Sequence, residues 1–171
     1  MRVVLKVGLG LAAVVAIVAG VGTTLPVDHV ATRTLALNRS TDEVWGVLTD
    51  FRGQLTWRRE LTSVELVPGT SRETWLEDTG DGAIPFETTE AMPPARLVRT
   101  IADTTLPFGG RWVYTLSAAD GGTRLTITEE GKVFNPIFRF VSHFFLDQGA
   151  TIEGVMQGLA SHLGEEPRIT P

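Results

Sequence analysis

Between residues 61 and 129 the chain is broken by turn-forming residues at intervals too short for helices of ordinary length. Residues 61–67 and 71–76 flank Pro68-Gly69-Thr70, residues 84–90 follow Gly80-Asp81-Gly82, and residues 96–101 follow Pro93-Pro94. Residues 111–117 and 123–129 flank Asp120-Gly121-Gly122. Glycine admits positive φ, proline fixes φ and lacks an amide donor, and aspartate bonds to nearby amides, so each cluster ends a segment. Short segments with turns at this spacing predict an antiparallel meander.

Helical signals bracket the meander. Residues 29–37, HVATRTLAL, alternate loosely as in a half-exposed strand. Ser40 and Glu43 then form a capping box, each side chain placed to bond the other's amide, and Val44, Val47 and Leu48 supply the apolar face that follows. Asp50 is placed to start a second short turn through Phe51 to Leu55, so residues 38–59 predict two short helices joined at a bend. Trp45 in the first of them is expected to pack in the core.

At the other end, Asn135 and Pro136 fit the N-cap and first position of a helix, because proline lacks only an amide that is unpaired there anyway. From Pro136 to Leu163 the spacing predicts one long helix, stopped by Gly164 and Pro167. Phe138, Val141, Phe145, Ile152, Met156, Leu159 and Leu163 form its apolar stripe, broadened in the first half by Ile137, Phe140 and Phe144. Gly149, Gly154 and Gly158 within it are unfavourable by roughly 1 kcal/mol each relative to alanine, and are read as sites of close approach or bending. One apolar helix face against one sheet gives a two-layer α+β domain.

The N-terminus stands apart. Residues 7–27 carry no charge, and Arg2 and Lys6 precede them. The run is close to the roughly 20 residues that span a bilayer, and as a soluble-domain helix it would need burial on every side. The division expected is 1–28 as a transmembrane anchor or signal segment, 29–164 as the domain and 165–171 as a C-terminal tail. Basic residues ahead of the span favour a cytoplasmic N-terminus and a single-pass protein of the cell membrane with its domain on the outer side. Secretion after signal cleavage is the alternative, although Ile17-Val18-Ala19 and Gly20-Val21-Gly22 only approximate cleavage sites.

Several function classes lack their parts. The formal charge of the 171 residues is -5 with no basic stripe, which argues against a nucleic-acid partner held through phosphates. Without cysteine there is no disulfide, thiolate nucleophile or cysteine-based zinc site. His29, His143 and His162 are far apart in sequence, and no GxSxG, HExxH, P-loop or GxGxxG occurs, so neither a metal nor a cofactor is expected.

The order strand, two short helices, six strands and C-terminal helix is that of the helix-grip fold. The stretches STDEVWGVLTDFRGQLTW, PPARLV, FGGRWVYTL and GGTRLTITEEGKVFNP, with the final helix, resemble the START/polyketide-cyclase-like (SRPBCC) superfamily over about residues 29 to 164. The resemblance is to its small bacterial polyketide cyclase/dehydrase-like members. It implies a curved antiparallel sheet of about seven strands wrapped around the long C-terminal helix, enclosing an apolar cavity. It does not imply one reaction, since members bind lipids, carry hydrophobic ligands or cyclise polyketides.

On that expectation the cavity lining is assigned to Trp57, Trp75, Phe86, Trp112, Tyr114, Val141, Phe145 and Met156. Trp112 and Tyr114 alternate with Leu116 on one strand face, and Tyr114 offers a hydroxyl to orient a ligand, with plain core packing the competing reading. Trp57 is placed at the cavity rim. Of the adjacent Glu129 and Glu130, at most one faces inward, and Arg99 sits between Leu97 and Ile101 as either an inward cation or an edge residue. Five of the eight phenylalanines lie from Phe134 to Phe145, and core filling, a cavity mouth and a lipid-contacting surface all accommodate them.

Three functions follow. The leading one is a membrane-anchored binding domain for a hydrophobic small molecule or lipid, without catalysis. The second is a polyketide cyclase- or dehydratase-like enzyme in the same cavity, with an inward ionisable group such as Glu130 or Arg99. The third is a scaffold with a filled core that docks an unspecified protein partner through the exposed phenylalanines.

Overall fold

The computed structural model describes residues 2–119 and 121–171, without the side chains of residues 2–5; Met1 and Asp120, the latter expected in the last hairpin turn, lie outside the described residues. In order, the chain forms α1 (Arg2–Thr24), β1 (Asp28–Leu37), α2 (Thr41–Thr49), a 3-10 turn (Gly53–Thr56), β2 (Ser63–Val67), β3 (Thr74–Asp78), β4 (Ala83–Met92) and β5 (Arg96–Ile101). There follow β6 (Phe108–Ala119), β7 (Gly122–Val133), α3 (Pro136–Phe145), α4 (Ala150–His162) and β8 (Arg168–Thr170). The strands make one antiparallel sheet in the order β2-β3-β4-β5-β6-β7-β1-β8, the expected meander with β1 returning to the side of β7. A bulge between Thr88 and Glu90 interrupts the β4–β5 register and bends that part of the sheet.

Local signals act where they are written. Ser40 Oγ accepts from the Glu43 amide at 3.3 Å and the Glu43 carboxylate accepts from the Ser40 amide at 2.9 Å, so the capping box forms as expected. The bonds the Glu43 carboxylate accepts from the Ser40 amide and hydroxyl hold it below its ordinary pKa. Asp50 Oδ1 accepts from the Gly53 amide at 3.0 Å and starts the 3-10 turn. Asn135 Oδ1 accepts from the amides of Ile137 and Phe138, with Pro136 next to it at the start of α3.

The long C-terminal helix is a correction: it is two helices, α3 and α4, separated at residues 146–149. Leu146 is extended, with φ -107° and ψ 137°. Asp147 Oδ1 accepts from the Gly149 amide at 2.8 Å, a local bond that competes with helix continuation. The Arg33 guanidinium occupies the space a Cβ on Gly149 would need, and its Nε donates to Glu153 at 2.5 Å in the first turn of α4.

The consequence is a division of labour along the expected stripe. In α4, Ile152, Val155, Met156, Leu159 and Ala160 are buried against Leu35, Leu97, Leu116, Leu125 and Ile127 of the sheet, with Val44 and Leu48 of α2 closing the core. By contrast α3 packs along the end of α1: Arg139 Nη1 donates to the carbonyls of Gly22 and Leu25 at 3.2 Å, and Gly22 lies against the Pro136 carbonyl. Phe138, Val141, Phe144 and Phe145 therefore remain exposed. The segment expected as a tail adds β8, which pairs Ile169 with Leu35, while the Glu165 carboxylate accepts from the Asn38 amide.

A candidate ligand cavity under the curved sheet

Strand alternation sends every second residue to the concave face. Pairing puts Trp75 opposite Phe86, Phe86 opposite Ile101, and Trp112 opposite Glu129. Where α4 does not fill the concavity there is a half-open cavity of about 380 Å³, within the range of small-molecule sites. Trp75, Phe86, Ile84, Ile101, Phe108 and Trp112 give it apolar walls, Arg58, Glu77, Arg99 and Tyr114 polar points, and Thr151 a contact from α4. A depression of about 450 Å³ beside the α3–α4 connection is shallower, more polar and open to solvent.

The expected lining divides accordingly. Trp75, Phe86, Trp112 and Tyr114 line this cavity, with Trp75 stacked on Phe86 at 5.9 Å between ring centroids. Trp57 is not at the rim: it is buried in the core, where Gly158 allows α4 to approach its carbonyl so closely that a Cβ would come within 2.6 Å. Met156 is fully buried in the same core and does not reach the cavity. Val141 and Phe145, 38% and 72% exposed, lie on α3 outside it, because the break at residues 146–149 turned that half of the stripe away from the sheet.

Register also settles the two adjacent glutamates. Glu130 pairs with Arg111, Arg111 Nε donating to Oε2 at 2.8 Å, on the opposite face, so it is Glu129 that reaches the cavity. There His29 Nε2 lies 3.2 Å from Glu129 Oε1. The His29 ring occupies the place of a side chain on Gly131, and Gly110, at φ +139°, lies so near the Glu130 carbonyl and Gly131 that no Cβ fits. These glycines let three strands close at that end of the cavity. Spacing alone gave no sign of the His29–Glu129 pair, whose members are brought together by β1 crossing to β7.

Among the polar points Arg58 and Glu77 neutralise each other. Arg58 Nη1 donates to Glu77 Oε2 at 2.8 Å and Gln54 Oε1 at 3.0 Å, and its Nε donates to Glu60 at 2.7 Å. Burial is the largest single influence and works against the charged Arg58, but Glu77, Tyr114 and Glu60 together outweigh it and hold the guanidinium pKa above its ordinary value. Glu77 Oε1 also accepts from the Trp75 indole at 2.8 Å.

Arg99 is the inward cation and not an edge residue: it is 6% exposed. Its guanidinium carbon lies 5.0 Å from the Trp75 ring centroid, 5.1 Å from Phe51 and 5.6 Å from Tyr114, all within cation–π range. Nη2 donates to the Leu48 carbonyl in the last turn of α2 at 2.6 Å. Burial raises the Tyr114 pKa, against the pull of Arg99 and Arg58, so Tyr114 is a neutral hydroxyl at physiological pH. Among the described residues no group of three or more His, Asp or Glu side chains converges as a metal site requires.

An antiparallel sheet gripping a C-terminal helix over a partly empty, aromatic-walled concavity defines a helix-grip protein. The model of the polyketide cyclase / dehydrase and lipid transport family matches residues 28–164, and the chain belongs to that family. No curated protein matches the sequence. A START superfamily protein of Mycobacterium smegmatis shares the fold at TM-score 0.64 and 13% identity, over 80% of this chain and 97% of its own. A protein of Thermobifida fusca studied in solution does so at TM-score 0.61 and 17% identity, over 80% and 96%. A hypothetical protein of Helicobacter pylori aligns at TM-score 0.64 and 11% identity, over 78% and 87%.

Proposed function

We propose that this protein is a membrane-anchored domain that binds a hydrophobic small molecule or lipid in the cavity beneath its sheet. The observation that carries the reading is the cavity of about 380 Å³ walled by Trp75, Phe86, Trp112, Ile84 and Ile101. Apolar surface removed from water contributes about 25 cal/mol per Å², and a few polar groups fix orientation.

The anchor is α1. Residues 6–24 form a largely unburied apolar helix with a mean hydropathy of 2.1, long enough by length and composition to cross a bilayer; a signal sequence has the same properties. With Arg2 and Lys6 at its start, the N-terminus is cytoplasmic and the domain lies on the far side. The exposed Phe138, Val141, Phe144 and Phe145 of α3 continue the apolar surface of α1 and rest on the bilayer, an arrangement that supports a ligand drawn from lipid. His29, Lys132 and Val133 at one end of the cavity directly follow or pair with the residues that leave the anchor.

Native mass spectrometry of the full chain, purified in detergent and then released from it, tests the reading. A co-purifying hydrophobic molecule of defined mass is expected, and a Trp112→Ala or Phe86→Ala variant should retain less of it. Repeated absence of any adduct under several extraction conditions would overturn the reading.

One observation favours a second reading, cyclase- or dehydratase-like catalysis: His29 and Glu129, able to exchange protons, face the same cavity. Glu129→Gln separates the two. An unchanged bound mass fits a binder, whereas a different, accumulated molecule on the variant fits an enzyme.

A further inference from the structure

The cavity holds a cation with no ion-pair partner among the described residues. Arg58 is paired with Glu77 and Glu60, but Arg99 forms no ion pair among the described residues. A guanidinium carries five N–H donors in a planar fork. One goes from Nη2 to the Leu48 carbonyl, and Nε, fully buried, meets no acceptor. The three aromatic rings around it stabilise the charge by their faces and accept no conventional hydrogen bond. A buried guanidinium with no carboxylate partner and an unsatisfied Nε is unfavourable, so a group retained there calls for an anion that arrives with the ligand.

We infer that Arg99 is the head-group site of the cavity and that the ligand is an amphiphile carrying a single carboxylate. This rests on the cavity being a ligand site, and adds which end of the ligand goes where. The carboxylate lies against the Arg99 fork beside the Tyr114 hydroxyl, and the apolar body extends along Phe86, Ile101 and Trp112. A planar carboxylate matches the guanidinium edge. Arg99 has no carboxylate at ion-pair distance, whereas Arg58, Arg111 and Lys132 in the same lining are each paired, so a single carboxylate suits it, and Glu60, Glu77 and Glu129 oppose a head group of higher charge, such as a phosphate monoester. The neutral Tyr114 hydroxyl is able to donate to the carboxylate.

The experiment titrates the full chain in nanodiscs of zwitterionic lipid with octanoate and, separately, with 1-octanol, subtracting empty nanodiscs and reading heat by calorimetry. Octanoate should bind on the order of tenfold or more tightly than the alcohol, as expected for a charge-assisted hydrogen bond. Arg99→Met should abolish that preference while leaving octanol binding in place, and Arg99→Lys should restore part of it. In the unaltered protein the preference should also vanish below about pH 4, where the carboxylic acid is neutral, a measurement independent of how any variant folds. Equal binding of the two probes to the unaltered protein, or a preference that survives Arg99→Met, overturns the head-group site while the apolar cavity stands. Failure of both probes to bind overturns the cavity reading, and the head-group site with it.

Discussion

Arg58 and Glu77 form a buried ion pair at 2.8 Å in the wall of the cavity, and the second Glu77 oxygen holds the Trp75 indole N–H at the same distance. Two elements with no local relationship, the loop after the 3-10 turn and β3, are joined through one carboxylate. Its removal leaves the buried Arg58 guanidinium with only the exposed Glu60 as a counter-charge and strands an indole donor at the same time.

Glu77→Ala should therefore cost about 3–5 kcal/mol of stability, the range for breaking a buried pair from one side. Replacing both members, Arg58→Met with Glu77→Met, should cost less than the single change, because the only charge left unpaired is that of the exposed Glu60. Urea unfolding followed by tryptophan fluorescence measures both, and a double variant less stable than Glu77→Ala would refute this account.

Tyr114 is the sole tyrosine, so its ionisation can be followed directly by ultraviolet absorbance. Burial raises its pKa in the folded protein, so the native state keeps the proton after the unfolded chain has lost it. The associated stability is complete below the unfolded value of about 10 and falls as pH rises from there toward the folded pKa, with a limiting slope of about 1.4 kcal/mol per pH unit. Tyr114→Phe should flatten that alkaline limb. A tyrosine titrating at its ordinary value in the native protein would contradict the burial.

Two glycines of α4 should respond in opposite directions to alanine. Gly154 has open space at its Cβ position, so Gly154→Ala should stabilise by up to about 1 kcal/mol through helix propensity. Gly158 lies against the Trp57 backbone carbonyl, and the overlap in Gly158→Ala should outweigh that gain and destabilise by about 1–3 kcal/mol. Thermal melts of the two variants compare them directly.

The exposed face of α3 makes a separate prediction about the bilayer. With the full chain in vesicles containing brominated lipid, tryptophan placed by Phe144→Trp or Phe145→Trp should be quenched well beyond the native tryptophan background. Leu66→Trp, also exposed but on β2 at the opposite edge of the sheet, should not be. Equal quenching at the two sites would remove α3 from the membrane surface.

How far the site could be read in advance follows the range of the interactions. Trp112 and Tyr114 were legible as a pair because alternation along one strand is a local property, and Trp75 and Phe86 lie on the same concave face. Trp57, Met156, Val141 and Phe145 were not, because their surroundings depend on where a helix breaks and on what it then meets. The break itself left weak marks, Asp147 and Gly149, which become decisive only once Arg33 arrives from β1.

By itself the sequence determined the apolar N-terminal helix, the capping box of Ser40 and Glu43, the start of α3 at Asn135 and Pro136, and the strand-and-turn order that defines the fold. Each of these depends on groups within a few residues of one another, so the free energies involved are present in the local chain. Only the tertiary structure decided that Glu129 and not Glu130 faces the cavity, since a one-residue change of register exchanges the two faces of a strand. It also decided that Arg99 is buried among three rings with no ion-pair partner among the described residues. That position arises from α2, β3, β5 and β6 meeting in space, and no spacing along the chain encodes it.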